Sequence, residues 1–176
     1  MKKLLSFFLY GLFFLFALAL FIPKSSLYYL AEKSLKEYDI TISDERVHES
    51  LLSLEVSDLK LALKGISSAD ISSVRFVFLG VYNSIELRQL RLSSLVDIYL
   101  PPKIQEISIE YSFLTPLSVT IDAQGDFGLL SGELNLMDLR VNARLKPSKL
   151  MLHKYRNSLR FFKKSQKGEY NYAKAL

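Results

Sequence analysis

The chain has 176 residues, with 23 Lys and Arg against 18 Asp and Glu and no cysteine at all. That length leaves room for one domain with a core of its own beyond a first apolar stretch, and not for two. The missing cysteine excludes disulfides and a lipobox, and fits a periplasmic body without requiring one.

Residues 4–22 are apolar and carry no charge; Ser6, Tyr10 and Gly11 are the only interruptions. A helix rising about 1.5 Å per residue needs roughly 20 such residues to cross a hydrocarbon core, so the run predicts a transmembrane anchor. Lys2 and Lys3 on the short leader, residues 1–3, place the N-terminus in the cytoplasm and the body across the membrane. A cleaved secretory signal is the rival reading, because Ala17-Leu18-Ala19 fits a signal-peptidase site. The run continues through Leu20, Phe21 and Ile22 to a stop at Pro23-Lys24, which favours an uncleaved anchor.

Residues 24–38 predict a short connector helix, with Leu27, Leu30, Ala31, Leu35 and Tyr38 on one face. From residue 39 to 146 the apolar period changes to 2, as in Leu52-Leu54-Val56, Leu59-Leu61-Leu63, Val74-Phe76-Phe78, Ile107-Ile109-Tyr111 and Leu117-Val119-Ile121. Turn signals fall at Lys64-Gly65, Gly80, Pro101-Pro102, Thr115-Pro116, Gln124-Gly125-Asp126 and Ser131-Gly132. Short connections between strands imply antiparallel neighbours. Three segments share one apolar spacing: Leu54, Val56, Leu59, Leu61; Ile85, Leu87, Leu90, Leu92; and Leu134, Leu136, Leu139, Val141. In each the alternation slips by one, at Ser57-Asp58, Arg88-Gln89 and Met137-Asp138. No glycine is available there for a tight turn, so the spacing predicts bulges or bends in curved strands.

Residues 147–176 predict a basic C-terminal helix and tail. Ser148 is the expected cap, and Met151, Tyr155, Leu159 and Phe162 form an apolar stripe. Lys149, Lys154, Arg156, Arg160, Lys163 and Lys164 are the expected membrane-surface residues. Charge is strongly divided, since residues 25–139 hold 9 Lys and Arg against 17 Asp and Glu, and residues 140–176 hold 11 against 1. The basic segment therefore meets anionic lipid headgroups, the acidic body, or an acidic partner. Nucleic acid is not an expected partner for a body outside the cytoplasm.

The expected fold is mainly β: one anchor helix, one amphipathic helix, then a curved antiparallel sheet, as an open groove or a sandwich, with the basic helix last. Such a sheet must bury its apolar face. If that face stays partly open it suits acyl chains, with Leu54, Val56, Leu59, Leu61, Leu63, Phe76, Phe78, Leu134 and Leu136 as the candidate lipid-binding residues; a closed core is the ordinary alternative. His48 and His153 have no ligand-spaced partners, Asp126-Phe127-Gly128 lacks every other kinase element, and no nucleophile motif occurs. Neither a metal, a cofactor nor an enzymatic activity is expected.

Ile22-Pro23 leading into Leu27-Tyr28-Tyr29-Leu30, then Tyr111-Ser112, Pro116-Leu117-Ser118-Val119, Gly125-Asp126-Phe127-Gly128 and the stretch from Ser131-Gly132-Glu133 to Leu134-Asn135-Leu136, resembles the type II secretion protein N family and, more distantly, AsmA-like envelope proteins. The resemblance implies a bacterial inner-membrane protein with a periplasmic β domain. It also implies partners among membrane lipids and envelope or secretion-complex proteins, a role in secretion or lipid handling, and no catalytic residues.

Overall fold

The computed structural model describes residues 2–21, 23–93, 100–165 and 168–175. The chain begins with α1 (Lys2–Phe21) and α2 (Lys24–Lys36). Strands β1 (Ile40–Ser43), β2 (Arg46–Glu49), β3 (Ser53–Leu63), β4 (Ile66–Phe78), β5 (Tyr82–Leu92), β6 (Lys103–Ser112), β7 (Ser118–Gly125), β8 (Gly128–Asn135) and β9 (Arg140–Pro147) follow. The chain continues through α3 (Lys149–His153), a 3-10 turn (Arg156–Phe161), β10 (Lys163–Lys164) and β11 (Tyr170–Ala175). Among the described residues all eleven strands join one antiparallel sheet, in the order β1-β3-β4-β5-β6-β7-β8-β9-β11-β10, with β2 also on β3. The two ends of this path do not pair with each other, so no barrel closes through them. The antiparallel meander of the sequence reading is therefore present from β3 to β9.

Register shows how one face stays apolar across the sheet. Val56, Val74, Leu87, Ile107, Ala123, Leu130, Leu145 and Tyr170 stand opposite one another in turn on eight neighbouring strands. Directly opposed residues in antiparallel pairs share a face, so this row is its spine. The other face carries cross-strand ion pairs such as Arg75 with Glu55 at 3.2 Å and Arg88 with Glu106 at 3.8 Å.

The slip in alternation is real in two of its three places. Asp58 and Gln89 adopt left-handed backbone, φ 59° and 53°, inside β3 and β5. Asp44, φ 65°, lies between β1 and β2 across from Asp58, and the β6–β7 register shifts between Ile104 and Glu106. A crease thus crosses the sheet, and it lets Val56 and Leu59, three apart, both point inward. Lys60 pairs with Asp44 at 2.6 Å and Arg46 with Asp58, bracing the kinked edge. The third copy is instead a turn. Asn135 Oδ1 accepts from the N–H groups of Met137 and Asp138, at 2.9 and 3.1 Å, and a side-chain-closed turn needs no glycine. Ser131-Gly132, read as a turn, lies mid-strand in β8.

Two other expectations are corrected. The helix foreseen within 147–176 breaks after α3, and the chain returns as β11, paired with β9. Tyr170 and Tyr172 alternate after Gly168, φ 77°, which is strand chemistry the basic composition obscures. In α2 the inward stripe is Lys24, Tyr28 and Leu35, while Leu27 and Leu30 are exposed.

Two helical lids cover parts of the apolar face. Tyr28 of α2 packs into a core with Leu54, Val56, Leu59, Ile71 and Val74. The C-terminal lid inserts Met151, Tyr155 and Leu159 against Phe127 and Leu145. Ser148 caps α3 as expected, accepting from the Met151 N–H at 3.1 Å.

Alternate hairpins define two rims. The turns at 50–52, 79–81, 113–117 and 136–139 lie on one; the turns at 64–65 and 126–127 and the start of α3 lie on the other. Glu49, beside the first of these turns, receives the Lys24 and Ser25 N–H groups at 2.8 and 3.2 Å, so α2 starts at the first rim.

Candidate functional site

Between the lids runs a strip of apolar side chains that belongs to neither core. Ile109 faces Ile121, and Tyr111 faces Val119, which faces Leu134. All five are half-buried. Two positions along the strand from Ile107 of the spine, Ile109 shares its face, and the strip therefore lies on the side that carries both lids. Across Asn83 of β5 from Tyr111, Phe78 lies on β4, its ring stacked on Phe76 at 6.2 Å between centroids and 2° between planes. A chain-shaped apolar ligand would find across β6 to β8 a floor of branched and aromatic side chains with walls on two sides.

The candidate lipid-binding residues separate into three environments. Leu54, Val56 and Leu59 are at most 4% exposed beneath α2, so they form closed core and meet no ligand while α2 is seated. Leu61, Phe76, Phe78 and Leu134 are half-buried; Leu61 and Phe76 pack against the core under α2, and Phe78 and Leu134 lie along the open strip. Leu63 and Leu136 sit at opposite rims, 47% and 39% exposed. Sequence reading missed Ile109, Tyr111, Val119 and Ile121 as site residues, although their alternation was legible. Only the cross-strand register reveals that no lid reaches them.

Polar chemistry near the strip is sparse. Among the described residues no three His, Cys, Asp or Glu gather where they could hold a metal ion. Tyr28 is buried in the first lid, as is Lys24, and burial, then the charges of Glu45 and Glu32, push the Tyr28 hydroxyl up to about 12. Asp126-Phe127 forms the β7–β8 turn, with the Phe127 ring folded over Gly125, where a Cβ would come within 2.7 Å of it. His48 and His153 are exposed, as are Lys149, Lys154, Arg156, Arg160, Lys163 and Lys164. Those six cations are spread over α3, the link after it, the 3-10 turn and β10 rather than one helix, and Lys154 lies over the Tyr155 ring at 5.1 Å.

At the α2 joint a carboxylate holds the start of a helix. Hydrogen bonding from the Ser25 side chain, then from the Lys24 N–H, holds Glu49 below the usual carboxylate range. A negative charge at the exposed N–H groups of a helix start is favourable. Because the folded value is depressed, the contribution is complete above the unfolded value of about 4.3 and is lost as pH falls through the folded one. Glu49→Gln should therefore flatten the acid limb of stability against pH below about 4.3, read as urea midpoints from neutral to acid conditions. An unchanged acid limb would show that Glu49 does not hold α2.

Among the described residues no helix is long and apolar enough to cross a membrane. The anchor foreseen at 4–22 takes in residue 22 and the side chains of residues 15, 16 and 18–20, which lie outside the described ones. No family model matches the chain, and neither a curated protein nor a solved structure matches it.

Proposed function

We propose that this chain is a membrane-anchored binding protein of the bacterial cell envelope, which shields lipid acyl chains on the open strip of its sheet. The observation that carries the reading is the strip itself, apolar, continuous across β6 to β8 and left uncovered between two lids. The proposed anchor is α1. Its 20 residues would reach about 30 Å, the thickness of a hydrocarbon core. Between residues 4 and 14 its large apolar side chains, from Leu12 at 58% to Phe7 at 79%, are exposed around the whole circumference. A helix apolar on every side is solvated by lipid or other apolar helices, not by water. With Lys2 and Lys3 inside, the sheet would lie in the periplasm, in keeping with the resemblance to the type II secretion protein N family.

The basic lid is the proposed contact for an anionic counterpart. Lys163 and Lys164 pair with Asn171 and Tyr170, opposite Arg144 and Leu145. That is roughly 15 Å along β9 from its rim end at Arg140 and from the rim where α2 begins. This distance favours an acidic envelope partner over the bilayer that holds α1.

Lipid analysis of the detergent-purified full chain by mass spectrometry tests the reading. Phospholipid should co-purify, and Ile109→Gln/Ile121→Gln should lose most of it while α1, and any lipid around it, stays. Equal lipid in both proteins would leave the strip empty and make the sheet a protein-docking scaffold of a trans-envelope complex.

A further inference from the structure

We infer that the first rim of the sheet is a second membrane contact, whose hairpin tips insert into the bilayer interface beside α1. The inference rests on the reading of α1 as an anchor and deepens it by naming where acyl chains would enter the strip.

The four turns of that rim are unusual for exposed loops, which are normally polar. Leu51, Val81, Phe113, Leu114, Met137 and Leu139 are between 52% and 90% exposed, and among the residues of the four tips only Asp138 carries a charge. Scattered single apolar residues on a surface need no explanation. Here they recur at every turn of one rim, from the β2–β3 tip to the β8–β9 tip, six strand spacings or roughly 29 Å away. On the opposite rim the described tips are more polar, Lys64-Gly65 and Asp126 beside the buried Phe127 ring, although Leu63 and Ile66 flank the first at 47% and 53% exposure and Leu100 of the β5–β6 connection is 39% exposed.

What identifies the occupant as a bilayer is the chain path. α2 begins at Lys24, three residues past the end of α1, and the Lys24 N–H is fixed 2.8 Å from Glu49. Three residues reach at most about 11 Å, so the end of α1 emerges next to the Leu51 tip. The exposed Leu27 and Leu30, on the first turns of α2, add to the same end. Opposed to the tips, the row Tyr111, Val119, Leu134 and Val141 begins immediately behind the rim, so an acyl chain leaving the bilayer there would pass straight onto the strip.

The chain contains no tryptophan, so single tryptophans report their own position. The full chain, reconstituted in phosphatidylethanolamine and phosphatidylglycerol vesicles with or without acyl-brominated lipid, would carry Leu114→Trp, Met137→Trp, Lys64→Trp or Phe13→Trp. Circular dichroism would establish that each variant is folded. Leu114→Trp and Met137→Trp should emit at shorter wavelength than Lys64→Trp and lose several-fold more intensity to brominated lipid. If both behave like Lys64→Trp while Phe13→Trp is quenched, the anchor stands and the inserted rim is refuted. If Phe13→Trp also escapes quenching, the anchor reading itself fails and takes this inference with it.

Discussion

Val56→Asp should remove most of the stability of the sheet. Val56 is 0% exposed, at the meeting of β2, β3 and β4 and in the core that Tyr28 closes. A carboxylate there is shut off from water, and an uncompensated buried charge costs about 3–5 kcal/mol, a large part of the roughly 5–15 kcal/mol that holds a domain together. The next residue supplies the contrast. Glu55 points to the other face and pairs with Arg75 at 3.2 Å, with both side chains more than two-fifths exposed. Breaking such a surface pair by Glu55→Gln should cost no more than about 1 kcal/mol. Urea midpoints of the two variants measure the difference, and comparable shifts would mean that the apolar face is not the core.

That contrast was legible in the sequence because period 2 assigns neighbours to opposite faces without knowledge of the fold. The crease was legible for the same reason: where Leu54, Val56 and Leu59 all had to be inside, something at Asp58 had to give, and its φ of 59° is what gave. The third copy of the spacing ended differently because Asn135 closes a turn with its own side chain, an alternative that apolar spacing does not encode. Hidden features were those made by distant residues. Glu49 caps α2 from 25 residues away, and it holds α2 so that Tyr28 rather than Leu27 faces the sheet. The exposed tips span positions 51 to 139 in the chain and become one surface only through the meander. In the C-terminal segment Met151, Tyr155 and Leu159 are buried as their spacing demanded, at 2–4% exposure, yet the helix is short because the lid is shaped by the turn beneath it.

That turn gives the second large effect. Gly128 opens β8 with φ 118°, which L side chains rarely adopt, and a Cβ would run into the Lys146 carbonyl oxygen and come within 2.8 Å of the Ser148 nitrogen. Strained backbone of this kind costs about 1–3 kcal/mol wherever it occurs. At Gly128 the clash adds to it, because the same few atoms seat the C-terminal lid. The Ser148 N–H donates to the Phe127 carbonyl at 2.9 Å, its hydroxyl to the Asp126 carbonyl at 2.5 Å, and the same hydroxyl caps α3. Pushing the β9–α3 joint away from the turn would withdraw Met151, Tyr155 and Leu159 from Phe127 and Leu145, burial worth about 1.5–3 kcal/mol for each large side chain. Gly128→Val should therefore cost more than about 3 kcal/mol in total. It should also expose the lid to trypsin at Lys149, Lys154, Arg156 and Arg160. Gly80→Ala is the matched control: φ is 77° but a Cβ would meet nothing within 4 Å, so only the backbone term, about 1–2 kcal/mol, remains. Limited proteolysis with mass mapping separates the two, since Gly80→Ala should leave the lid resistant. A Gly128→Val protein whose lid resists trypsin as the native chain does would show that the lid is held by its own stripe alone, without the β7–β8 turn.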